Sequence, residues 1–181
     1  MRIVSGTYKG RLIKPPKNFK ARPTTDFAKE NLFNILNNNF DFSGVDVLDL
    51  FSGTGSISYE FASRECRSVV SVESNFKHHI FIKKTIEELG LKTVKSIKSD
   101  AFRYVKSCRE RFDIIFADPP YDLKSMDDIP DFIFEQNILK KDGWLILEHG
   151  DRTSFSRHPR FKEIRKYGGV NFSIFYNSDE N

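Results

Sequence analysis

The sequence predicts an α/β fold in which helices cover both faces of a mostly parallel sheet. From Val45 onward, short apolar segments alternate with longer amphipathic segments. Because several of the short segments contain nearly continuous apolar residues, the strands that they form are expected to be buried on both faces, as in parallel sheets. Near the end of the chain, FKEIRKY and VNFSIFYN flank two glycines, which predicts an antiparallel hairpin.

A helix is predicted before the first strand, in RPTTDFAKENLFNIL. Thr24 or Thr25 can cap it, and its apolar residues form one broad stripe before the chain reaches three asparagines. The predicted strands that follow are Val45–Leu50, Ser68–Glu73, Thr93–Lys98, Phe112–Ala117 and Trp144–Glu148. The predicted helices between them cover residues 55–64, 75–89, 100–108 and 127–140.

The N-terminal segment differs in charge from the remainder of the chain. Residues 1–25 contain no acidic residue and seven basic residues: Arg2, Lys9, Arg11, Lys14, Lys17, Lys20 and Arg22. This distribution suggests a polyanionic partner. A solvated leader segment without a partner explains the charge equally well. RIVSG and RLIKPP lie on either side of a segment that ends in Gly10, which predicts a short hairpin. We therefore divide the chain into a basic hairpin arm, residues 1–22, and one domain, residues 23–181.

The composition argues against several classes of protein. No apolar segment approaches the ~20 residues of a membrane span, and the N-terminus lacks a signal-peptide core. Cys66 and Cys108 lie far apart, in no spacing typical of metal sites. We therefore expect a cytoplasmic protein without a membrane segment or a metal, and we assign no role to the histidines. We also expect the protein to be a monomer.

The segment VDVLDLFSGTGSIS predicts a ligand-binding turn after the first strand. Asp49 ends the strand, and Gly53 and Gly55 lie in the turn that enters the next helix. Glycines let the backbone approach a ligand closely, and a helix N-terminus favours negative charge. The third position of the dinucleotide-binding pattern is Ser58 instead of glycine, so the pattern for a pyrophosphate is incomplete.

Acidic residues end the next two strands. Glu73 follows Gly53 by twenty residues, the spacing of an acid that binds ribose hydroxyls, although it could also be a surface acid that caps a helix. Asp100 could reach the amine of an adenine, cap the next helix, or do both. Asp49 would repel a pyrophosphate. The set therefore favours S-adenosylmethionine, which carries ammonium and sulfonium groups, over NAD.

The segment FADPPYD predicts a rigid turn after the fourth strand, at the same edge of the sheet. Each proline fixes its own φ and restricts the preceding residue. The Asp118 carboxylate and the Pro119 carbonyl could accept the two hydrogens of an exocyclic amine and favour a pyramidal nitrogen. Tyr121 could stack on an extracted base. A tight turn with a solvated aspartate is the alternative.

These motifs resemble class I S-adenosylmethionine-dependent methyltransferases of the amino-group type, which carry a [DN]PP[FYW] motif. More narrowly, MRIVSGTYKGR, RPTTDFAKENLFNIL, LDLFSGTGSIS and FADPPY are similar to the RsmD family of bacterial 16S ribosomal RNA guanine-N2 methyltransferases. The resemblance implies a Rossmann-like, seven-stranded sheet whose last strand is antiparallel. It also implies S-adenosylmethionine as cofactor and ribosomal RNA as partner, in an assembling or assembled small subunit.

The resemblance also implies roles for individual residues. The residues implied for cofactor binding are Asp49, Phe51, Gly53, Gly55, Glu73, Asp100 and Ala101. Those implied to hold the target guanine are Asp118, Pro119, Pro120 and Tyr121. We assign RNA binding to Arg2, Lys9, Arg11, Arg22, Thr24 and Thr25. Phe27 departs from the family, because many relatives carry a basic residue there.

Other functions remain open. The same fold could methylate adenine in DNA or RNA, or the amide of a protein glutamine. Against a DNA substrate, the chain has no added domain of the size that DNA recognition often needs, and its basic arm is short. A non-catalytic RNA-binding protein on this scaffold is the alternative of another class. The acid-Pro-Pro-aromatic segment argues against it, since binding alone would not need that geometry.

Overall fold

A computed structural model describes residues 1–17, 19 and 25–178. Its strands are β1 (Asp46–Leu50), β2 (Ser68–Glu73), β3 (Val94–Lys98), β4 (Phe112–Ala117), β5 (Leu139–His149), β6 (Phe161–Tyr167) and β7 (Val170–Tyr176). Its helices are α1 (Asp26–Asn37), α2 (Ser56–Ser63), α3 (Phe76–Leu89), α4 (Ala101–Ser107) and α5 (Ile129–Glu135), with a short 3₁₀ turn at Phe42–Gly44.

The strands form one seven-stranded sheet in the order β3-β2-β1-β4-β5-β7-β6. The pairs among β1 to β5 are parallel, and β7 runs antiparallel to both β5 and β6. The mostly parallel sheet with its C-terminal hairpin confirms the predicted fold. As a consequence, the carboxyl ends of β1, β2, β4 and β5 meet at one edge, where α/β folds bind ligands.

Helices cover both faces of the sheet, as the apolar strands predict. Along β1, Val47 belongs to the apolar cluster that contains α1, α2 and α3, whereas Leu48 belongs to the cluster that contains α4 and α5. Both side chains are fully buried. The alternation of side chains along a strand thus divides each buried strand between two apolar layers.

The predicted helix over residues 127–140 is wrong at its end. Helix α5 ends at Glu135, Asn137 has a left-handed φ of 54°, and β5 begins at Leu139 instead of Trp144. Leu139 pairs with Phe112 of β4. The two apolar residues at the end of the predicted helix are therefore buried beside the sheet and start a longer strand.

The described part of the N-terminal arm is a short hairpin that packs on the domain. Arg2 and Leu12 form an antiparallel bridge, and the Ile3 amide donates to the Arg11 carbonyl at 3.1 Å. Ile3 and Ile13 are buried in the same apolar layer as α1, α2 and α3. The hairpin thus adds apolar residues to the core as well as positive charge to the surface.

Helix α2 binds this hairpin through a buried acid. Glu60 is fully buried, and its carboxylate accepts hydrogen bonds from the amides of Val4 and Ser5, the shortest at 2.6 Å. Arg64 pairs with the same carboxylate at 3.1 Å. Gly6 lies so close to α2 that a Cβ atom there would be 1.8 Å from the Ser63 carbonyl oxygen. Helix and hairpin are therefore in direct backbone contact.

Candidate functional site

A cavity of about 430 Å³ opens at the carboxyl edge of the sheet. The ends of β1, β2, β4 and β5 contribute to its wall. Eleven of the residues predicted for the site line it: Thr25, Asp49, Phe51, Gly53, Glu73, Asp100, Ala101, Asp118, Pro119, Pro120 and Tyr121. The two halves of the predicted site, cofactor and target base, thus share one space.

The other predicted residues lie elsewhere. Gly55 does not line the cavity but caps α2 with a φ of 81°, and a Cβ atom there would be 2.5 Å from the Tyr59 hydroxyl. Arg2, Lys9 and Arg11 are exposed on the arm, outside the cavity wall. Arg22 and Thr24, both predicted to bind RNA, lie outside the described residues.

Thr25 and Phe27 lie at the start of α1. The Thr25 hydroxyl accepts the Ala28 amide at 3.2 Å, so this residue is the cap of the helix as well as part of the cavity wall. Phe27 is 64% exposed and packs edge-to-face against Tyr167, with 6.0 Å between ring centroids. The RNA-binding role of Thr25 stays a prediction.

Asp49 is buried at the bottom of the cavity. The Ser58 hydroxyl donates a hydrogen bond to its carboxylate at 2.5 Å. Burial raises the pKa of Asp49 to about 7, and this hydrogen bond opposes the rise. The serine that interrupts the dinucleotide-binding pattern therefore hydrogen-bonds to Asp49, which a glycine, without a side chain, could not do.

Glu73 holds the glycine turn from the neighbouring strand. Its buried carboxylate accepts the Gly53 amide at 2.7 Å and the Asn75 amide at 2.6 Å. Helix α3 is capped by Asn75, which accepts the amides of Lys77 and His78. The alternative of a surface acid that caps a helix is therefore wrong for Glu73. Its binding of a ribose stays a prediction.

Asp100 is exposed where β3 leads into α4. Its carboxylate accepts the Arg103 amide at 3.0 Å and caps the helix, and the residue also lines the cavity with Ala101. The capping role that the sequence left open is thus present. A contact with an adenine amine is compatible with it and stays a prediction.

The turn after β4 begins with two residues that are at least half-buried and continues with two that are exposed. Asp118 is half-buried, Pro119 is buried, and Pro120 is exposed. Burial raises the pKa of Asp118 well above its ordinary value, and the neighbouring carboxylates of Glu148 and Asp49 add to the rise. Tyr121 is 51% exposed. Its ring lies against Gly150, where a Cβ atom would be 3.3 Å away.

Two titratable residues of the cavity have no role in the sequence-based prediction. Glu148 is buried at the end of β5 and accepts a hydrogen bond from the Tyr121 hydroxyl at 3.3 Å. His78 lies near Glu73, with 3.9 Å between Nδ1 and Oε1. The signal for Glu148 was present, because an acid at the carboxyl end of a strand is what also indicated Glu73. No comparable signal marked His78.

The cavity is acidic and has no metal-like cluster. Asp49, Glu73, Asp118 and Glu148 all line it. In the described part of the chain, no group of three His, Cys, Asp or Glu side chains could hold a metal ion. Such a cavity favours cationic groups and N–H donors and disfavours phosphates.

In the described part of the chain, no helix is both long and apolar enough to cross a membrane.

A family model described as "Conserved hypothetical protein 95" matches residues 1–176. "Putative rRNA methyltransferase YlbH" of Bacillus subtilis is 35% identical over 153 residues, which cover 82% of each chain. "Ribosomal RNA small subunit methyltransferase D" of Escherichia coli is 27% identical over 148 residues, covering 82% of this chain and 71% of that protein.

Solved structures share the fold. "Putative methyltransferase yhhF from Escherichia coli" has a TM-score of 0.86 at 21% identity and covers 99% of each chain. "SMU.776, a putative methyltransferase complexed with SAH" has a TM-score of 0.66 at 18% identity. The match with SMU.776 covers 82% of this chain and 49% of that one. At these identities, the structural likeness bears on the fold alone.

Proposed function

Because the chain belongs to the RsmD family, we propose that it is an S-adenosylmethionine-dependent enzyme that methylates N2 of a guanine in 16S ribosomal RNA. The observation that carries this proposal is that Glu73 and Asp118, the central residues of the two predicted half-sites, line one cavity. A methyl donor and an acceptor base can therefore meet there. The coarser activity, methylation of ribosomal RNA, follows from the relatives, and the choice of guanine N2 is the proposal.

The cavity residues at the ends of β1, β2 and β3 fit S-adenosylmethionine. Glu73 would accept the ribose hydroxyls, Asp49 would attract the positive charges, and Asp100 would accept the adenine amine. The donor supplies an electrophilic methyl group when it is bound. The acids favour this donor over its demethylated product, which has lost the sulfonium charge, so product release is assisted by the same residues.

The cavity residues in the turn after β4 fit an exocyclic amine. An amine on a purine is a poor nucleophile, because its lone pair is delocalised into the ring. The Asp118 carboxylate and the Pro119 carbonyl would accept its two hydrogens and direct the nitrogen lone pair into the cavity. The two prolines hold these acceptors in place before the substrate arrives, so little reorganisation is needed at the reaction step. Tyr121 would stack on the base.

The substrate is proposed to be RNA of the small ribosomal subunit, bound by a monomer whose residues 1–22 form a basic arm. One relative over nearly the whole chain is named "Ribosomal RNA small subunit methyltransferase D", from Buchnera aphidicola subsp. Baizongia pistaciae. It is 28% identical over 181 residues, covering 98% of this chain and 92% of that protein.

A transfer assay with labelled methyl donor tests the proposal. The protein is incubated in turn with undermodified small subunits, free ribosomal RNA, duplex DNA and a release factor, and the labelled product is digested and identified. We expect label in N2-methylguanosine from the small subunit or its RNA. Label in N6-methyladenine or in a protein glutamine would contradict the guanine assignment and leave the methyltransferase activity intact. Absence of label in all four substrates would contradict the activity itself.

A further inference from the structure

Two acids lie at the ends of the neighbouring strands β4 and β5 and line the same cavity: Asp118 follows β4, and Glu148 belongs to β5. In the parallel pairing of β4 with β5, Phe116 lies opposite Ile146, and Ala117 lies opposite Leu147. The next step in the same register places Asp118 beside Glu148, and neighbouring strands are ~4.8 Å apart. Both acids line the cavity, and each contributes to the electrostatic environment of the other.

The two carboxylates also face the same side of the sheet as Asp49. Side chains alternate along a strand, so Asp118 shares a face with Phe116, which lies opposite Asp49 of β1. Glu148 shares that face because it lies two residues after Ile146, the partner of Phe116. Glu148 is only 4% exposed, so a group that reaches it must enter the cavity.

Such a pair matches the edge of guanine and not that of adenine. Guanine presents two neighbouring donors, the ring N1–H and the exocyclic N2 amine. Adenine presents an amine beside a ring nitrogen that carries a lone pair. An ionised carboxylate is an acceptor only. It therefore attracts the N1–H of guanine and repels the N1 lone pair of adenine.

We propose that Glu148 accepts the N1–H of the target guanine while Asp118 holds the N2 amine, so that Glu148 selects guanine over bases without an N1–H. This inference rests on the proposed function and goes beyond it by naming the residue that recognises the base. The hydrogen bond from the Tyr121 hydroxyl to Glu148 does not conflict with this role, because a carboxylate has about four acceptor positions.

The buried position of Glu148 makes the selection strong. A base without N1–H would leave a buried carboxylate facing a lone pair, and sites built to bind a donor reject analogues that lack it. Loss of a hydrogen bond to a charged group corresponds to roughly a tenfold to hundredfold effect. The raised pKa of Asp118, to which the charge of Glu148 contributes, indicates that the two acids repel each other when both are ionised. N–H donors of a bound base would relieve this repulsion.

The test uses a base that keeps the reacting amine and loses the N1–H. 2-Aminopurine has the exocyclic amine of guanine at position 2, but its N1 carries a lone pair. Once the methylated nucleotide is located by the assay above, small-subunit RNA is prepared with guanine or with 2-aminopurine at that position. Single-turnover methyl transfer is measured for both. The wild-type protein is expected to modify guanine roughly tenfold to hundredfold faster.

Three variants locate the origin of that preference. In Glu148→Gln, the side-chain amide can present either an oxygen or an NH₂ group, so the ratio of the two rates should fall towards one. Tyr121→Phe keeps the ring and removes the hydroxyl, so the ratio should persist if Glu148 contacts the base itself. Asp122→Asn, an exposed acid outside the cavity wall, has the same charge change as Glu148→Gln and should keep the ratio.

The outcomes separate this inference from the proposed function. Transfer to guanine N2 with equal wild-type rates for both bases would overturn the role of Glu148 and leave the function in place. This result requires no variant, so it does not depend on whether Glu148→Gln folds. An unchanged ratio in folded Glu148→Gln would also overturn the role. If the wild-type protein transfers no methyl group to guanine, both the function and the inference fail.

Discussion

At the scale of single residues, the ionisation of the cavity acids decides what they can bind. Asp49 is 1% exposed, and its raised pKa reflects the cost of placing a charge in a buried site. Ser58 donates to it and favours the ionised form. A positively charged ligand would add to this effect. Ligand affinity and the protonation of Asp49 should therefore be linked.

We predict that S-adenosylmethionine binds more tightly as the pH rises from 6 to 8. The pKa of Asp49 is about 7, so the carboxyl group is mostly neutral at the lower pH and mostly ionised at the higher. Calorimetric titrations at several pH values measure the effect. Asp49→Asn should bind more weakly and with little dependence on pH. Ser58→Ala should move the rise in affinity to higher pH, because the ionised Asp49 carboxylate loses a hydrogen-bond donor. A flat wild-type profile would exclude Asp49 as a partner of the cationic groups.

A second prediction at this scale concerns Asp118. If its carboxylate orients the amine, Asp118→Ala should bind the methyl donor normally and lose on the order of a hundredfold to a thousandfold in transfer rate. Asp118→Asn keeps one acceptor oxygen and should retain a rate well above that of the alanine variant. Single-turnover rates at saturating substrate provide the measurement. Equal rates for the two variants would instead indicate a general base, since asparagine cannot take up a proton.

At the scale of elements, the sequence predicts those features that depend on local pattern. The bounds of β2 and β4 agree with the prediction because each is a short apolar run between polar residues. The start of β5 could not be predicted, since Ile138 and Leu139 fit a helical stripe as well as a strand. Their conformation is decided by the left-handed Asn137 and by pairing with β4.

The difference between local sequence pattern and pairing between strands also explains which site residues could be predicted. The acids at strand ends converge in any parallel sheet, so the sequence alone could indicate Asp49, Glu73, Asp100 and Asp118. The place of Glu148 beside Asp118 depends on the register between β4 and β5. That register shifts between Phe112 and Ile114. No local pattern encodes the shift, and Glu148 therefore had no predicted partner.

The N-terminal arm packs on the domain, a role that its positive charge does not indicate. Its composition suggested an arm that binds a polyanion, or a solvated leader. In the structure, Ile3 and Ile13 are buried, and Glu60 of α2 depends on amides of the arm. Deletion would leave a buried carboxylate without these donors, which is costly. Substitutions that keep the backbone in place are the better way to test the arm.

We predict that Gly6→Ala destabilises the protein more than Gly10→Ala. Both glycines have a left-handed φ, 81° and 83°, so each alanine costs about 1–2 kcal/mol in backbone strain. Only at Gly6 does the new Cβ meet an atom, the Ser63 carbonyl oxygen, whereas Gly10 has open space. An overpacked contact adds roughly 1–3 kcal/mol.

Urea denaturation of the two variants measures the difference. Hydrogen exchange at the amides of Val4 and Ser5, which donate to Glu60, reports whether the arm has detached from α2. We expect faster exchange at these amides in Gly6→Ala than in Gly10→Ala. Equal unfolding free energies and equal exchange in the two variants would show that the close approach of Gly6 to α2 does not occur in solution.

At the scale of the whole molecule, an acidic cavity is combined with a basic arm. The chain has a net charge of +4, and the N-terminal 25 residues carry no acid. The arm reaches the cavity wall, because the Thr54 hydroxyl donates to the Met1 sulfur at 3.3 Å. Phosphates are attracted to the arm and repelled from the cavity. A nucleic acid can therefore be held outside while one base, which carries no charge, enters.

The last prediction tests this separation by removing charge without removing the arm. Lys9→Gln with Arg11→Gln should weaken binding to small-subunit RNA and make it less dependent on salt. If both side chains contact phosphates, the slope of log affinity against log salt concentration should fall in magnitude by about 1.5. Lys106→Gln with Arg109→Gln is the matched control. It removes one exposed lysine in α4 and one exposed arginine two residues after its end, and α4 packs on the face of the sheet opposite to the arm. Filter binding between low and moderate salt measures both slopes, and methyl-donor affinity should be unchanged in both double variants. Equal slopes for the two would show that the charge of the arm makes no contact with the RNA.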